Sequence, residues 1–279
     1  MGIEQRQQTR VKRAISARVM APPFGVSRAF AIFAHYHALV TYWDQRRFDI
    51  RFEWGMHGLQ ALSECRTFII IDIFSFTTCV SIALARKAIV FPYRWKGPTA
   101  QSFADEHEAV IAEMRDVKGA HSLSPKSMMD IPFGTRIVLP SPNGATLSIE
   151  AAELGDVLAT SLRNRSAVAA YTERLETPIG IIAAGEQWPN GYLRVAYEDF
   201  IGAGAVITKL KGTVSPEAQA AANAFESAVN HLQQSLRDCG SGWELIQRGF
   251  PEDVDLAAVL DCETVVPRLV DSAFEDASS

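Results

Sequence analysis

The sequence lacks a strong charge of either sign: 279 residues carry a formal net charge of −5, with a pI near 5.7. Domains that bind nucleic acid carry a basic patch or stripe, and with no such global excess nucleic acid is set aside as a partner. Cysteine is scarce. Cys65, Cys79, Cys239 and Cys262 are widely spaced with no C-x-x-C pair, which speaks against a zinc knuckle or redox pair and fits reduced thiols in a cytosol. No apolar run is long enough for a membrane span. Ala29 to Trp43 is broken by His35 and His37, falls short of the roughly 20 residues required, and lacks the order of a secretory signal. The expected location is therefore the cytoplasm, without a membrane partner; a homo-oligomer is left open. Absent too are G-x-x-x-x-G-K-[ST], H-E-x-x-H and G-x-S-x-G. Asp72-Ile73-Phe74 has no aspartate two residues on, as haloacid-dehalogenase phosphatases require, and Cys79 and Arg86 stand one residue too far apart for a cysteine-phosphatase loop.

What is present is the balance of an ordinary globular protein, 48% apolar and 21% charged, in a chain long enough for one large domain or two small ones. Residues 1–47 stand apart. Arg6, Arg10, Lys12, Arg13, Arg18, Arg28, Arg46 and Arg47 face only Glu4 and Asp44, so this stretch is expected to be a basic extension outside the core fold. It reads as a tether to an anionic surface, a targeting peptide, a poorly ordered leader or a start assigned too early, with Met20 and Met56 as alternative starts. The main domain is expected over residues 48–279.

From Phe48 the pattern is regular. Phe48, Ile50, Phe52 and Trp54 alternate with Asp49, Arg51 and Glu53, the period of a half-buried strand, and Thr67–Ile73 is a continuous apolar run expected to be covered on both faces. Helical periods follow at 77–86, 100–115, 145–153, 165–175 and 193–210, with strands at 88–91, 136–139, 157–160 and 179–184 between them. Such alternation implies a three-layer α/β/α fold around a mainly parallel central sheet, with mixed order left open. After Lys211 only helical signals are read, Ser215-Pro216 and Phe250-Pro251 marking helix starts.

In open parallel sheets ligands bind beyond the carboxyl ends of the strands. Three polar clusters fall there: Asp72 with Ser75, Thr77 and Thr78; Ser141-Pro142-Asn143-Gly144; and Gly185-Glu186, followed by Glu198-Asp199. Asp72 leaves an apolar strand, where a charge needs a partner. It reads either as a metal ligand or general base, or as a cap on the next helix. Asn143-Gly144 opens a helix whose free N–H groups suit an anion, although Asn-Gly is also plain turn chemistry. Glu198 and Asp199 point about 100° apart on a helix, so one is expected inward and the other outward or capping. Gly202 and Gly204 would let that helix approach the sheet closely. A Rossmann reading of this pair fails for want of a third glycine and a preceding strand. Trp188 reads as part of a lid or as an anchor for its own loop. The six histidines are scattered and read as surface or satisfied core groups.

Taken together, Ile70-Ile71-Asp72-Ile73-Phe74-Ser75-Phe76-Thr77-Thr78, Ser122-Leu123-Ser124-Pro125, Leu139-Pro140-Ser141-Pro142-Asn143-Gly144, Ala184-Gly185-Glu186 and Glu198-Asp199 with Gly202-Ala203-Gly204 resemble the 2-phosphosulfolactate phosphatases. Ser241-Gly242 to Gly249-Phe250, then Asp253, Asp261 and Val266-Pro267, resemble that family's closing helices. The resemblance implies magnesium-dependent hydrolysis of a small phosphorylated metabolite, 2-phosphosulfolactate, on a route to coenzyme M. On that expectation the strand-end clusters supply the mechanism, with catalytic roles for Asp72, Glu186 and Asp199, metal ligation by Asp72, Glu198 and Asp199, and substrate contacts from Ser75, Thr77, Thr78, Ser141, Asn143, Gly144 and Arg194. The chain departs from the archaeal-type pattern at Ser75, where arginine is usual, at Ser122-Leu123 and at Ser141-Pro142, as in a bacterial branch. A serine cannot supply the planar cationic fork of arginine; Arg194, ahead of Arg86 and Arg94, is the expected replacement. The rival reading is a non-catalytic binder of a phosphorylated or sulfonated metabolite, and a weaker one is a structural partner protein.

Overall fold

The structure is a computed structural model that describes residues 42–94, 98–115, 117 and 119–278. The basic extension therefore lies outside the described residues, apart from Tyr42–Arg47. Within the compact unit Trp43–Ser279, the segment before the first strand is tied down by specific bonds. The Gln45 amide donates to the Phe52 carbonyl at 2.8 Å and accepts from the Phe52 N–H at 3.0 Å. Arg51, which alternation would leave outside, is buried because its guanidinium donates to the carbonyls of Phe48, Asp44 and Arg46.

The elements run β1 (Ile50–Trp54), α1 (Gly55–Ala61), β2 (Thr67–Ile71), α2 (Phe76–Ala85), β3 (Ile89–Tyr93), α3 (Pro98–Glu106), β4 (Val110–Ile111), α4 (Pro125–Met128), β5 (Arg136–Pro140), α5 (Gly144–Ala152), β6 (Asp156–Thr160), α6 (Arg165–Thr172) and β7 (Ile179–Ala183). There follow the short pair β8 (Glu186–Gln187) and β9 (Leu193–Arg194), helices α7 (Tyr197–Ile207), α8 (Pro216–Ala228), α9 (Leu232–Asp238), α10 (Gly240–Gln247) and α11 (Pro251–Ala257), and strands β10 (Pro267–Val270) and β11 (Ala273–Asp276).

Nine strands form one sheet in the order β1-β7-β2-β6-β10-β11-β3-β5-β4. Two parallel blocks, β1-β7-β2-β6 and β3-β5-β4, are joined through the antiparallel hairpin β10-β11. The sheet is thus mixed and lies between helical layers. β2 explains why: Phe68 and Ile70 pack with Phe76 and Val80 of α2 and Ala145 of α5, while Ile69 and Ile71 pack with Ile201 and Ala205 of α7 and Ala221 of α8. A strand whose successive side chains are apolar must be covered on both faces.

Three expectations are corrected. The helix read over 100–115 stops at Glu106, and Val110–Ile111 joins the sheet edge as β4. The helix read from Leu193 starts at Tyr197, because Leu193 and Arg194 pair with Gln187 and Glu186. The tail is not only helical: β10-β11 inserts in the middle of the sheet. Its turn has positive φ at Asp271 (46°) and Ser272 (71°), the geometry that Asn-Gly normally announces, and Asp-Ser gives a weaker signal. Gly202 does face the sheet, where an added Cβ would lie 2.6 Å from Ile73, but Gly204 faces α8, with 2.0 Å to the Ala221 carbonyl.

Candidate active site

Asp72 follows the last residue of β2 and is buried. Its Oδ2 accepts from the Gly144 N–H at 2.8 Å and, weakly, from the Ser141 hydroxyl at 3.5 Å; its Oδ1 accepts from the Phe76 N–H at 3.3 Å. One carboxylate therefore caps the start of α2 and grips the start of α5 at once, so the capping role and a place in the site coexist. Gly144 is required by this approach: a Cβ there would stand 2.6 Å from Asp72 Oδ2 and from Phe76 Cδ1. Its N–H is thereby spent on Asp72 rather than left open to an anion. Thr77 and Thr78 are buried and serve the backbone, the Thr77 hydroxyl donating to the Asp72 carbonyl at 2.9 Å and the Thr78 hydroxyl to the Ile73 carbonyl at 2.8 Å. Both hydroxyls hold the turn that presents Asp72.

The segments after β7 meet this turn. Asp199, in the first turn of α7, accepts from the Ile73 N–H through Oδ1 and from the Gly185 N–H through Oδ2, both at 2.8 Å. It staples the ends of β2 and β7 together. Gly185 has φ of +66° and sits 2.9 Å, by its would-be Cβ, from the Arg194 carbonyl, so the sharp exit from β7 needs glycine. That exit delivers Glu186, whose Oε2 accepts from the Asn143 amide at 3.4 Å. Glu198 and Asp199 are both buried, against the expectation that one would face outward. Glu198 Oε2 lies 3.5 Å from the Cys239 thiol. Arg194, opposite Glu186 in the β8-β9 pair, donates to the Ser241 hydroxyl at 2.8 Å and lies over the Trp188 ring, 5.9 Å from its centre.

Burial and mutual repulsion make Asp72, Glu186 and Asp199 resist ionisation. Burial pushes Asp72 up to about 6, offset in part by the Gly144 and Phe76 amides and reinforced by Glu198. Burial, then the charges of Asp72 and Glu198, push Glu186 up to about 7 despite Arg194. Burial and the neighbouring Glu198 and Asp72 also hold Asp199 well above the usual carboxylate range. Cys239 is pushed up to about 12 by burial and Glu198, which makes it a poor nucleophile.

Among the described residues the Ser75 hydroxyl bonds to an arginine and not to the carboxylates. It is the N-cap residue of α2 but makes no cap bond with its side chain; its hydroxyl instead accepts from Arg115 Nη2 at 2.6 Å. Arg115 was missed from the sequence because its segment read as helix, and its contact with Ser75 spans 40 positions. Arg86 and Arg94 do not fill that place: Arg86 donates to the Ile131 carbonyl and Arg94 pairs with Glu150. Asp253 was visible only as part of the resemblance. Its Oδ1 accepts from the Ser124 hydroxyl at 2.6 Å and the Lys126 N–H at 2.9 Å, which joins two of the quoted segments.

As donors for an ion, these carboxylates suit a hard cation such as magnesium. Among the described residues no three acidic, histidine or cysteine side chains are gathered in a metal-holding arrangement. Asp72 and Asp199 each have both oxygens on backbone N–H groups, so Glu186 and Glu198 are the acids with most spare acceptor capacity, and Asp72 would serve an ion through a second lone pair. Two carboxylates with waters and a phosphate oxygen are the usual magnesium set, so the donors fit that mode and do not form a closed cage. A cavity of about 610 Å³ lined by Tyr93, Arg94, Phe103, Glu153, Asp156 and Leu269 includes none of these groups.

The family profile described as 2-phosphosulpholactate phosphatase matches residues 57–272. A protein named probable 2-phosphosulfolactate phosphatase from Thermotoga petrophila is 31% identical over 219 residues, 76% of this chain and 92% of its own length. The similarly named proteins of Thermotoga maritima and Carboxydothermus hydrogenoformans are 29% and 26% identical, over 76% and 74% of this chain and 92% and 87% of their own.

Proposed function

The chain belongs to the 2-phosphosulpholactate phosphatase family, and from that premise we propose that it hydrolyses a small phosphate monoester, 2-phosphosulfolactate or a related acidic metabolite, with magnesium at the carboxylate cleft. The observation that carries this reading is the convergence of Asp72, Asn143, Glu186, Glu198 and Asp199 from the ends of β2, β5 and β7. Folding accounts for Asp72 and Asp199, whose oxygens hold backbone N–H groups, but not for Glu186 and Glu198 beside them, since buried charge is costly without a partner.

Magnesium, held by Asp72 and Glu198 with Asp199 bracing the turn behind them, would offset the charge of the phosphate and acidify bound water. The chain's own residues do the rest. Water attacks phosphorus, the bond from phosphorus to the ester oxygen breaks, and that oxygen takes up a proton, from the Glu186 carboxyl that received the water proton or from solvent. Glu186, its carboxyl pushed up to about 7, can accept a proton from that water near neutrality. Asn143 orients Glu186 through its amide, and Arg194 beside Glu186 supplies a cation for an anionic group of the ester.

The test is phosphate release from 2-phosphosulfolactate by the purified chain, with magnesium and with a chelator. Release that requires magnesium supports the reading. Tight binding of the ester without release would instead identify a metabolite-binding protein on the same fold.

A further inference from the structure

Beside the carboxylates lies a second polar cluster around the first turn of α2, outside the roles assigned so far. Arg115 reaches it from the segment after β4. Its Nε donates to the Leu123 carbonyl at 2.8 Å and its Nη2 to Ser75 at 2.6 Å, while its guanidinium lies over the Phe250 ring, 5.5 Å from the centre. Two of the five guanidinium donors are thus used by protein hydrogen bonds among the described residues. The side chain is 14% exposed, so solvent still reaches part of it. Its acidic neighbour does not take up the remaining donors: Asp253 Oδ2 stands 3.6 Å from Nε, is buried and, among the described residues, has no hydrogen-bond partner. A structural ion pair would be expected to use direct, forked hydrogen bonds. Here Asp253 spends its other oxygen on Ser124 and Lys126, and the arginine is aimed at Ser75.

Ser75 is free to take Arg115 because Asp72 caps α2 in its place. The same first turns of α2 therefore carry Asp72 on one side and the Ser75–Arg115 contact on another, and buried Cys79, one turn on, feels Asp253, Arg115 and Asp72 together. A partly exposed cation with unused donors, bonded to Ser75 three residues after Asp72, suits a second anion of the same small molecule.

We propose that Arg115, positioned by Ser75, Leu123 and Phe250 and backed by Asp253, binds a carboxylate or sulfonate of the substrate at a subsite next to the phosphate. This rests on the phosphatase reading and deepens it. Arg194 remains beside Glu186, so the two arginines read different groups.

The experiment compares wild type, Arg115→Lys, and the pair Arg115→Met with Asp253→Asn, which leaves no buried charge unpaired. Each is assayed with magnesium on 2-phosphosulfolactate and on an aryl phosphate that lacks a second anion, and each is titrated calorimetrically with sulfolactate, the dephosphorylated acid. Loss of a forked charged contact should lower kcat/KM for 2-phosphosulfolactate roughly tenfold or more, leave the aryl phosphate within about twofold and weaken sulfolactate binding in parallel. Equal losses on both esters, or unchanged sulfolactate binding, would overturn the subsite. If wild type releases no phosphate from either ester, the phosphatase reading fails, and the sulfolactate titration alone decides for or against Arg115.

Discussion

Glu186 and Gly144 show how far single residues carry the account. If Glu186 is the group that accepts the water proton, its ionised form is the active one, so kcat/KM should rise with pH along a limb at or below about 7. Glu186→Gln should remove that limb and lower the rate roughly a hundredfold or more; a pH–rate profile of the variant that kept the limb would assign the base elsewhere. Gly144→Ala places a methyl 2.6 Å from Asp72 and Phe76. It should destabilise the protein by about 1–3 kcal/mol through overpacking, measurable by urea denaturation. At this scale the sequence was informative where chemistry and strand ends coincide: Asp72, Glu186 and Asn143 do meet. It misled where hydroxyls looked available, because Thr77 and Thr78 turn back onto the chain they follow. It was silent on Arg115, whose partner is 40 positions away and whose neighbours carry no motif.

The elements that position the site depend on close backbone approach and on one late hairpin. At Gly204 the would-be Cβ lies 2.0 Å from the Ala221 carbonyl, so α7 and α8 touch backbone to backbone. Gly204→Val should force them apart, displacing Glu198 and Asp199 on the same helix; a lowered melting temperature together with lost activity is the expected outcome. The hairpin β10-β11 is the bridge between the two parallel blocks. A chain ending before Pro267 should expose β6 and β3 and fail to give the near-ultraviolet circular dichroism of a packed core. The long apolar or alternating strands and the helices between them were legible because their periods are strong, as at Thr67–Ile71. The short pieces were not: β4 and β9 have two residues each, too few for a period, and the Asp271-Ser272 turn lacks the glycine that usually marks such hairpins.

For the molecule as a whole, the cost of gathering the acids appears in its pH dependence. Asp72 and Glu186 have folded pKa values raised from 3.8 and 4.5 to about 6 and about 7. The stability they contribute is therefore fully present below those ordinary values and lost as pH rises through about 6 and 7. With a chelator present, the melting temperature of wild type relative to Asp72→Asn, which keeps Glu186, should fall as pH rises from the ordinary carboxylate value through about 6. If magnesium binds the ionised acids as proposed, it should restore more of that loss at about pH 8 than at about pH 5. Asp49, Asp261 and Asp276 act in the opposite sense at lower pH, since amide and hydroxyl donors or an arginine hold them below the usual range, and the comparison with the variant isolates the site. The most direct test of the central claim is phosphate release from 2-phosphosulfolactate by wild type and by Asp72→Asn, each with magnesium and each shown folded by its melting curve. Release by wild type with a loss of roughly a hundredfold or more in the folded variant is the expected result; equal rates in the two proteins would contradict the claim that hydrolysis occurs at these carboxylates.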